Sequence, residues 1–488
     1  MDKSLLKERS TNYRQKVQAE IRKRILGRNR VYLTMISAQD KPSYTTDEKL
    51  SRILDLVFRM THSRVDRTIL SNMQLLFEML IDNQGHNAKI FDYIIDLAKY
   101  VLQCQGFATD TNALANQDTG LQDEMITWIL RILIELAEES IEIRYLILNS
   151  SIVQSVISES ITCNDLMHLS LAASFLNSLL SHNTNDLDKF NQNSYDVVFT
   201  GALVKLHNHM FKSDSGSFHE ETNSNENVNP EEFKMGVLDS VEGLTKLIDE
   251  NTWYEFIDRS KLITLLNIST SFLKMFSDDL QMTDSLLSLL QSLSSHVKEP
   301  ECSALASDSE LFTLLKKILL SSTKQMSLKR KIIFSFSNLI ITSLKIAMII
   351  LSDTDIVNFL LQNVVQQRNN QMGEDSLLCI CNVTGFIDRF VVEFVVRFDI
   401  VEFLFEFIKD VQHDSDSRGL ILFRIFLEAL ENLLYLDRQF NFQLKEKIAE
   451  GDKIQFIAEQ QYATSKQVYN KAQDILNEFF EDFLESDI

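Results

Sequence analysis

The sequence predicts an all-α protein built from repeated helical units, and its composition is the first reason. The 488 residues include only 12 glycines and 3 prolines, too few for the tight turns and phosphate loops of an α/β enzyme. Hydrophobic residues make up 45% and charged residues 24%, which suits long helices that each keep a polar face. Apolar residues recur at helical spacing, as in the sets Ile129, Ile132, Leu133, Leu136 and Leu311, Leu314, Leu315, Ile318.

The formal net charge of −21 is unevenly distributed along the chain. Residues 1–30 hold ten Lys or Arg and three acidic residues, so this segment carries +7 and the remainder −28. An acidic body repels nucleic-acid phosphates and anionic lipids, so we expect basic protein segments as partners and no nucleic acid. The longest mostly apolar run, Leu339 to Leu351, has 13 residues. Because a spanning helix needs roughly 20, we expect no membrane insertion.

An internal repeat of about 45 residues predicts the architecture. Several amphipathic segments place a residue in the same position among aliphatics: Ile132, Asn177, Lys246, Ser292, Asn338, Asn382 and Asn432. Their spacings are 45, 69, 46, 46, 44 and 50 residues, and a polar, disordered-looking insertion at 212–232 accounts for the long one. All-helical units of this length are typical of armadillo and HEAT arrays, in which stacking supplies the core.

Three segments resemble the importin-α (karyopherin-α) family. They are LQDEMITWILRILIELAEESIEIRYLILNSSIVQSVI at 121–157, LEALENLLYL at 427–436 with EGDKIQFIAEQQYATSKQVYNKAQDILNEFF at 450–480, and VQAEIRKRILGRNRVYL at 17–33. The resemblance implies an armadillo-repeat right-handed superhelical solenoid of about nine to ten repeats over residues 45–488. It also implies that residues 1–44 form a basic tail and linker.

In that family a Trp-x-x-x-Asn pair on each groove helix holds an extended lysine-rich peptide. Positions i and i+4 share a helical face, indole rings attract ammonium groups, and the Asn amide both donates and accepts. The corresponding pairs here are Trp128/Ile132, Ala173/Asn177, Glu242/Lys246, Ser288/Ser292, Phe334/Asn338, Leu378/Asn382 and Glu428/Asn432. Only one Trp occupies these positions, and three successive Asn residues remain in the second half. We therefore expect any peptide groove to lie mainly there.

The resemblance implies cargo-peptide contacts from eight residues: Trp128, Asn177, Glu242, Phe334, Asn338, Asn382, Glu428 and Asn432. All of these except Asn177 also have a structural alternative. Trp128 and Phe334 could be core residues, the second-half Asn residues could bond an adjacent helix, and the Glu residues could solvate a face.

The basic tail is the predicted importin-β ligand, through Arg22, Lys23, Arg24, Arg28 and Arg30. A tail that serves only solubility is the alternative. In the family this segment folds inside importin-β and, when free, lies in the adaptor's own groove.

No catalytic or cofactor motif stands out. The sequence has no phosphate loop, dinucleotide fingerprint, zinc-protease helix or nucleophile elbow, and Cys379 and Cys381 are too few for a zinc cage. We therefore expect a non-enzymatic protein without cofactors. Five scattered cysteines favour a reducing compartment.

Taken together, these features predict a nuclear import adaptor that shuttles between cytoplasm and nucleus. Its expected partners are importin-β, basic cargo proteins and a nuclear export factor. The alternative is an importin-α-derived structural scaffold in a larger assembly that has given up basic-signal binding.

At the end of the chain, Leu476, Phe479, Phe480 and Phe483 recur at i, i+3, i+4 and i+7 and predict a capping helix. Its acidic residues are expected to face water: Glu478, Glu481, Asp482 and Glu485.

Overall fold

The computed structural model describes part of the chain. The described residues are 73, 94–95, 119–139, 144, 146–147, 150–151, 153, 155–157, 166–180, 192–212, 230–249, 259–306, 310–322, 324–366, 371–411, 417–449, 452–459 and 465–481. Every regular element within these ranges is helical, and they contain no strand. The predicted all-α class is therefore confirmed for this part of the chain.

The chain divides into two compact units between Leu289 and Leu290. The first unit contains α1 (Thr119–Glu139), α2 (Leu166–Leu180), α3 (Gln192–Lys212), α4 (Pro230–Asp249) and α5 (Arg259–Met275). The boundary falls within α6 (Leu280–Ser294).

The second unit continues with shorter helices and two long ones. Its described helices are α7 (Glu299–Leu305), α8 (Glu310–Leu320), α9 (Met326–Thr342), α10 (Leu344–Leu351), α11 (Thr354–Gln366), α12 (Gln371–Asn382), α13 (Arg389–Arg397), α14 (Ile400–Val411), α15 (Ser417–Phe440), α16 (Leu444–Ala449), α17 (Lys453–Glu459) and α18 (Lys466–Phe479). A short 3₁₀ helix, Val383–Gly385, follows α12.

The helical stripes seen in the sequence form the core. Ile129, Ile132, Leu133 and Leu136 of α1 are buried, as are Leu311, Leu315 and Ile318 of α8. In the first unit α2 packs against both α1 and α4, and α3 packs against α4 and α5. In the second, α12 packs against α9 and α11, and α18 packs against α15.

Two glycines permit the close packing of α4. A Cβ on Gly236 would lie 2.5 Å from the Ser170 Cβ and 2.9 Å from its Cα on α2. A Cβ on Gly243 would lie 2.3 Å from the Phe199 ring on α3. A helix-interior glycine normally costs stability, so these positions are explained by the close approach of the neighbouring helices.

Several side-chain hydrogen bonds between helices join residues about 45 positions apart. In the second unit, bonds that join residues 43, 44 or 45 positions apart include Arg397–Thr354, Lys409–Asp452, Arg424–Gln467, Asn338–Ser294, Ser343–Glu299, Arg330–Asp375 and Asn382–Ser337. Others, such as Lys316–Asp353 and Lys471–Glu431, join residues 37 and 40 positions apart. In the first unit α2 and α4 are joined by pairs 62 to 69 positions apart. The sequence between these two helices contains the predicted insertion.

The ends of that insertion differ from the prediction. Lys212 is the last residue of α3, and α4 already begins at Pro230, whose fixed φ and missing N–H suit the first turn of a helix. Residues 230–232 and Lys212 are therefore helical, and 213–229 lie outside the described residues. The predicted tail and linker, 1–44, also lies outside them.

The final described helix has the predicted apolar face. Leu476, Phe479 and Phe480 are buried, which confirms this part of the pattern, while Phe483 lies outside the described residues. Glu478 does not simply face water, because it accepts hydrogen bonds from Tyr435 and Arg438 of α15. Within the described ranges, no helix is both long enough and apolar enough to cross a bilayer.

Candidate functional site

The eight predicted peptide contacts all fall on described helices. Trp128 lies on α1, Asn177 on α2 and Glu242 on α4 of the first unit. In the second unit Phe334 and Asn338 lie on α9, Asn382 on α12, and Glu428 and Asn432 on α15. The five basic residues predicted to bind importin-β, at positions 22, 23, 24, 28 and 30, lie outside the described residues.

Trp128 is half-buried, and one face of its ring is already covered. The guanidinium carbon of Arg131 lies 4.9 Å from the ring centroid, in cation–π geometry. Because Arg131 is three residues further along α1, the two side chains share one helical face. Ile132, which replaces the family's Asn, is fully buried.

Asn177 is the centre of a polar network between α2 and α4. Its Nδ2 donates to Asp239 Oδ1 at 3.0 Å and to Glu242 Oε2 at 3.4 Å, and its Oδ1 accepts from Lys246 Nζ at 2.6 Å. Ser174 also donates to Asp239. An amide has two N–H donors, so both are in use.

Asp239 was not predicted from the sequence as a site residue. Burial raises the pKa of its carboxyl above the ordinary value, and the hydrogen bonds from Ser174 and Asn177 oppose that shift. Its position three residues before Glu242 on α4 is the signal that could have identified it, because i and i+3 share a face.

The Asn338 side chain is fully buried and bonded within the second unit. Its Nδ2 donates to Ser294 Oγ at 3.1 Å, which joins α9 to α6. One turn earlier, Phe334 is 2% exposed, with the Arg330 guanidinium 5.8 Å from its ring centroid. Arg330 also pairs with the buried carboxylate of Asp375 on α12, at 2.5 Å.

Asn382 repeats this arrangement one helix further on. It is fully buried, and its Nδ2 donates to both the carbonyl and the hydroxyl oxygen of Ser337, at 3.1 and 2.7 Å. Asn338 and Asn382 thus each donate to a serine on the helix that carries the preceding aligned position. This is the adjacent-helix alternative considered from the sequence, and the structure shows its donors and acceptors.

Each of the three second-unit asparagines also has a buried polar atom without a hydrogen-bond partner. These atoms are Asn338 Oδ1, Asn382 Oδ1 and Asn432 Nδ2. A buried amide atom left unbonded costs stability and therefore needs an explanation. The three residues occupy aligned positions, 44 and 50 residues apart, and Asn363 Nδ2, outside those positions, is unpartnered as well.

The carboxylates beside Asn432 already have cations of the same chain as neighbours. Glu428 Oε1 lies 3.8 Å from Arg424 Nε, and Glu431 on the same helix accepts from Lys471 of α18. Both acids are largely buried, at 13% and 14% side-chain exposure, so these ion pairs are shielded from solvent more than surface pairs are.

Cys379 and Cys381 are buried thiols inside α12. Burial raises the pKa of both thiols, to about 12 for Cys381, which disfavours the nucleophilic thiolate form near neutral pH. In the described part of the chain no group of three or more His, Cys, Asp or Glu is placed to hold a metal ion.

Comparisons with known proteins give a weak structural similarity. No family model matches the chain, and no curated protein matches it either. One similar solved chain comes from the work described as "Kap95p Binding Induces the Switch Loops of RanGDP to adopt the GTP-bound Conformation: Implications for Nuclear Import Complex Assembly Dynamics". The two chains are 11% identical, with a TM-score of 0.35. The match covers 93% of this chain, which spans 65% of the other. A similarity at this level assigns neither a family nor a function.

Proposed function

We propose that this protein is a helical-repeat adaptor that binds extended basic peptides along the second unit and acts in nuclear import. The observation that carries the binding proposal is the set of unpartnered amide atoms on Asn338, Asn382 and Asn432. An extended peptide presents an N–H and a C=O at every residue, and these are the groups that an amide can pair with. The proposal therefore gives these unpartnered atoms a role, most directly at Asn432, which is half-buried, whereas Asn338 and Asn382 are fully buried.

The spacing of several bonds between helices supports an armadillo-type array in the second unit. Side-chain bonds at 43 to 45 residues, such as Asn382–Ser337, are expected when each repeat stacks on the next. Stacked repeats place equivalent residues at regular intervals along one surface. Such a surface suits an extended partner better than a compact one.

Charge supports a basic ligand. The chain carries −21, and Glu428 and Glu431 lie within one turn of Asn432. Arg424 and Lys471 already neighbour these carboxylates, so a peptide lysine would join or displace an existing ion pair. Because both carboxylates are largely buried, salt should weaken the resulting gain in affinity less than it weakens a surface ion pair.

The transport role comes from the family resemblance of residues 17–33, 121–157 and the C-terminal segments. On this proposal the basic tail binds importin-β, a nuclear export factor returns the adaptor, and the protein moves between cytoplasm and nucleus. Binding rather than catalysis is its function. No cofactor is required.

A second candidate function is a structural scaffold that does not bind basic signals. It is favoured by the bonds from Asn338 to Ser294 and from Asn382 to Ser337, since these amides already stabilise the stack of helices. Their complete burial also favours it. The two candidates differ in whether the remaining amide atoms bind a peptide.

A mutation of Asn432 distinguishes the peptide-binding adaptor from the scaffold. Its Nδ2 has no hydrogen-bond partner, so Asn432→Ala should weaken a fluorescein-labelled lysine-rich peptide about five- to a hundredfold, corresponding to about 1–3 kcal/mol. Fluorescence anisotropy with the full chain measures this, beside a peptide in which alanine replaces every lysine.

Asn363 on α11 provides a matched control. It is buried and its Nδ2 is also unpartnered, but it lies outside the aligned positions. Asn363→Ala should leave peptide affinity unchanged. Equal affinities for Asn432→Ala and the unchanged protein, or no lysine-dependent binding at all, would favour the scaffold.

The tail proposal has its own test. Replacing Arg22, Lys23, Arg24, Arg28 and Arg30 with Ala should abolish capture of the full chain by immobilised importin-β. Thermal stability should stay the same, because the apolar core belongs to the helices. Undiminished capture would contradict the tail assignment.

A further inference from the structure

Lys246 occupies the position at which three aligned helices of the second unit carry Asn338, Asn382 and Asn432. It is half-buried on α4, and its ammonium donates to Asn177 Oδ1 on α2 at 2.6 Å. This is the distance of a strong, charge-assisted hydrogen bond. A cation of the chain itself is therefore bound to the Asn side chain that the sequence predicts as a peptide contact.

The rest of the Asn177 amide is engaged as well. Its N–H groups donate to Asp239 and Glu242, and Glu242 accepts a further bond from Ser285 at 3.2 Å. Asp239, Glu242 and Lys246 together carry one net negative charge. Without the lysine the same network would carry two negative charges and leave the Asn177 oxygen without its ammonium.

A peptide lysine reaching this place would meet a competitor that is covalently tethered. A tethered group acts at a high effective concentration, so a free lysine of similar chemistry displaces it poorly. With Lys246 bound, the network carries one net negative charge instead of two, so it attracts a second cation less strongly.

We propose that Lys246 determines the specificity of the first unit by excluding lysine side chains from the Asn177 network. This rests on the proposed function only in assuming that basic peptides are ligands of the protein. A basic peptide is then restricted to the second unit. Lys246 acts as an internal mimic of the ligand's own side chain.

A second cation of the first unit also covers a side chain that the resemblance assigns to peptide binding. The Trp128 ring, which the resemblance would assign to a lysine stem, has the Arg131 guanidinium 4.9 Å from its centroid. Among the described residues of the first unit, the Trp128 indole and the Asn177 amide thus each already contact a cation of the chain.

The test is Lys246→Ala in the full chain, with a fluorescein-labelled peptide of four consecutive lysines between alanines at low ionic strength. Removing the tethered ammonium should increase affinity at least about tenfold relative to the unchanged protein, because one charge-assisted bond becomes available to the peptide. Lys246→Met, which keeps most of the aliphatic stem, should show the same gain and covers the case in which the alanine variant folds poorly.

Three control variants test whether the gain in affinity arises at the Asn177 network. Lys246→Arg keeps a cation and should show no gain. Lys274→Ala removes the same charge from an exposed position on α5 and should change affinity less than about twofold. Lys246→Ala combined with Asp239→Asn should lose most of the gain.

No gain in the folded alanine and methionine variants would overturn the proposal, as would an equal gain from Lys274→Ala. Failure of this proposal can be distinguished from failure of the proposed function. If the unchanged protein fails to bind the peptide but Lys246→Ala binds it, the second-unit site is refuted and the role of Lys246 stands. If the unchanged protein binds the peptide and Lys246→Ala shows no gain, basic-peptide binding stands and the role of Lys246 is refuted.

Discussion

Asn382→Ala should destabilise the second unit by about 2 kcal/mol, because it removes two buried hydrogen bonds between α12 and α9. The shorter bond, from Asn382 Nδ2 to Ser337 Oγ, is 2.7 Å long, and its loss leaves the serine hydroxyl without this donor in a site closed to water. A buried bond of this kind contributes about 1–1.5 kcal/mol. The bond to the Ser337 carbonyl, at 3.1 Å, should contribute less, because that oxygen lies within a helix and also serves its backbone ladder.

The expected loss of stability can be measured as a decrease in melting temperature. For a unit of this size each 1 kcal/mol corresponds to about 2–4 °C, so Asn382→Ala should lower the transition of the second unit by about 4–8 °C. Circular dichroism during heating and during urea titration would give the shift and the free energy of unfolding. A double-mutant cycle with Ser337→Ala should return a coupling of about 1 kcal/mol, since both variants break the same hydroxyl bond.

Asn432→Ala is the control for stability. Its Nδ2 has no hydrogen-bond partner, so its removal should cost clearly less than the removal of Asn382. Equal stability of Asn382→Ala and the unchanged protein would refute the reasoning, because it would mean that the bonds to Ser337 do not hold the two helices together.

Three further changes test packing and charge. Gly236→Ala should destabilise the first unit by about 1–3 kcal/mol in urea titrations, although alanine is the better helix former, because the new Cβ would meet the backbone of α2; a stabilised variant would contradict the close packing. Arg330→Met should cost about 2–4 kcal/mol in the same assay by leaving the buried Asp375 carboxylate without its guanidinium, and a neutral effect would show that the pair contributes nothing. The bond from Lys234 lowers the pKa of Asp279 below its ordinary 3.8, so this pair stabilises above that pH and loses its effect as the pH falls through the lowered pKa. Lys234→Met should therefore cost about 0.5 kcal/mol at pH 7, within the range of a solvent-screened surface pair, and less at pH 2; an effect of equal size at both pH values would rule out the ion pair as its cause.

The helical class and the core stripes were accessible from the sequence because they depend on local spacing. Ile129, Ile132 and Leu133 recur on one helical face whatever packs against it, and the structure buries all three. The fully buried aromatic residue Phe480 was found by the same argument. The repeat of about 45 residues is also an inference from the sequence, and it stays a prediction; several inter-helix bonds of the second unit join residues 43 to 45 positions apart.

The candidate site was accessible only in part. Sequence comparison placed Asn338 and Asn382 at equivalent positions, but it left open whether each bonds a peptide or a neighbouring helix. The structure adds their bonds to Ser294 and Ser337, together with one unpartnered oxygen on each. No local pattern distinguishes those serines from the many others in the chain, because their role depends on which helix lies opposite.

The sequence by itself therefore determined the helical class and many of the residues that face the core, since both follow from the geometry of one helix. Tertiary structure alone decided which groups pair between helices. Lys246 and Asn177 are 69 residues apart, and nothing in either helix indicates that the ammonium of one binds the amide of the other. The physical reason is that a hydrogen bond forms within about 3 Å, and only the packing of α4 on α2 brings these two groups to that distance.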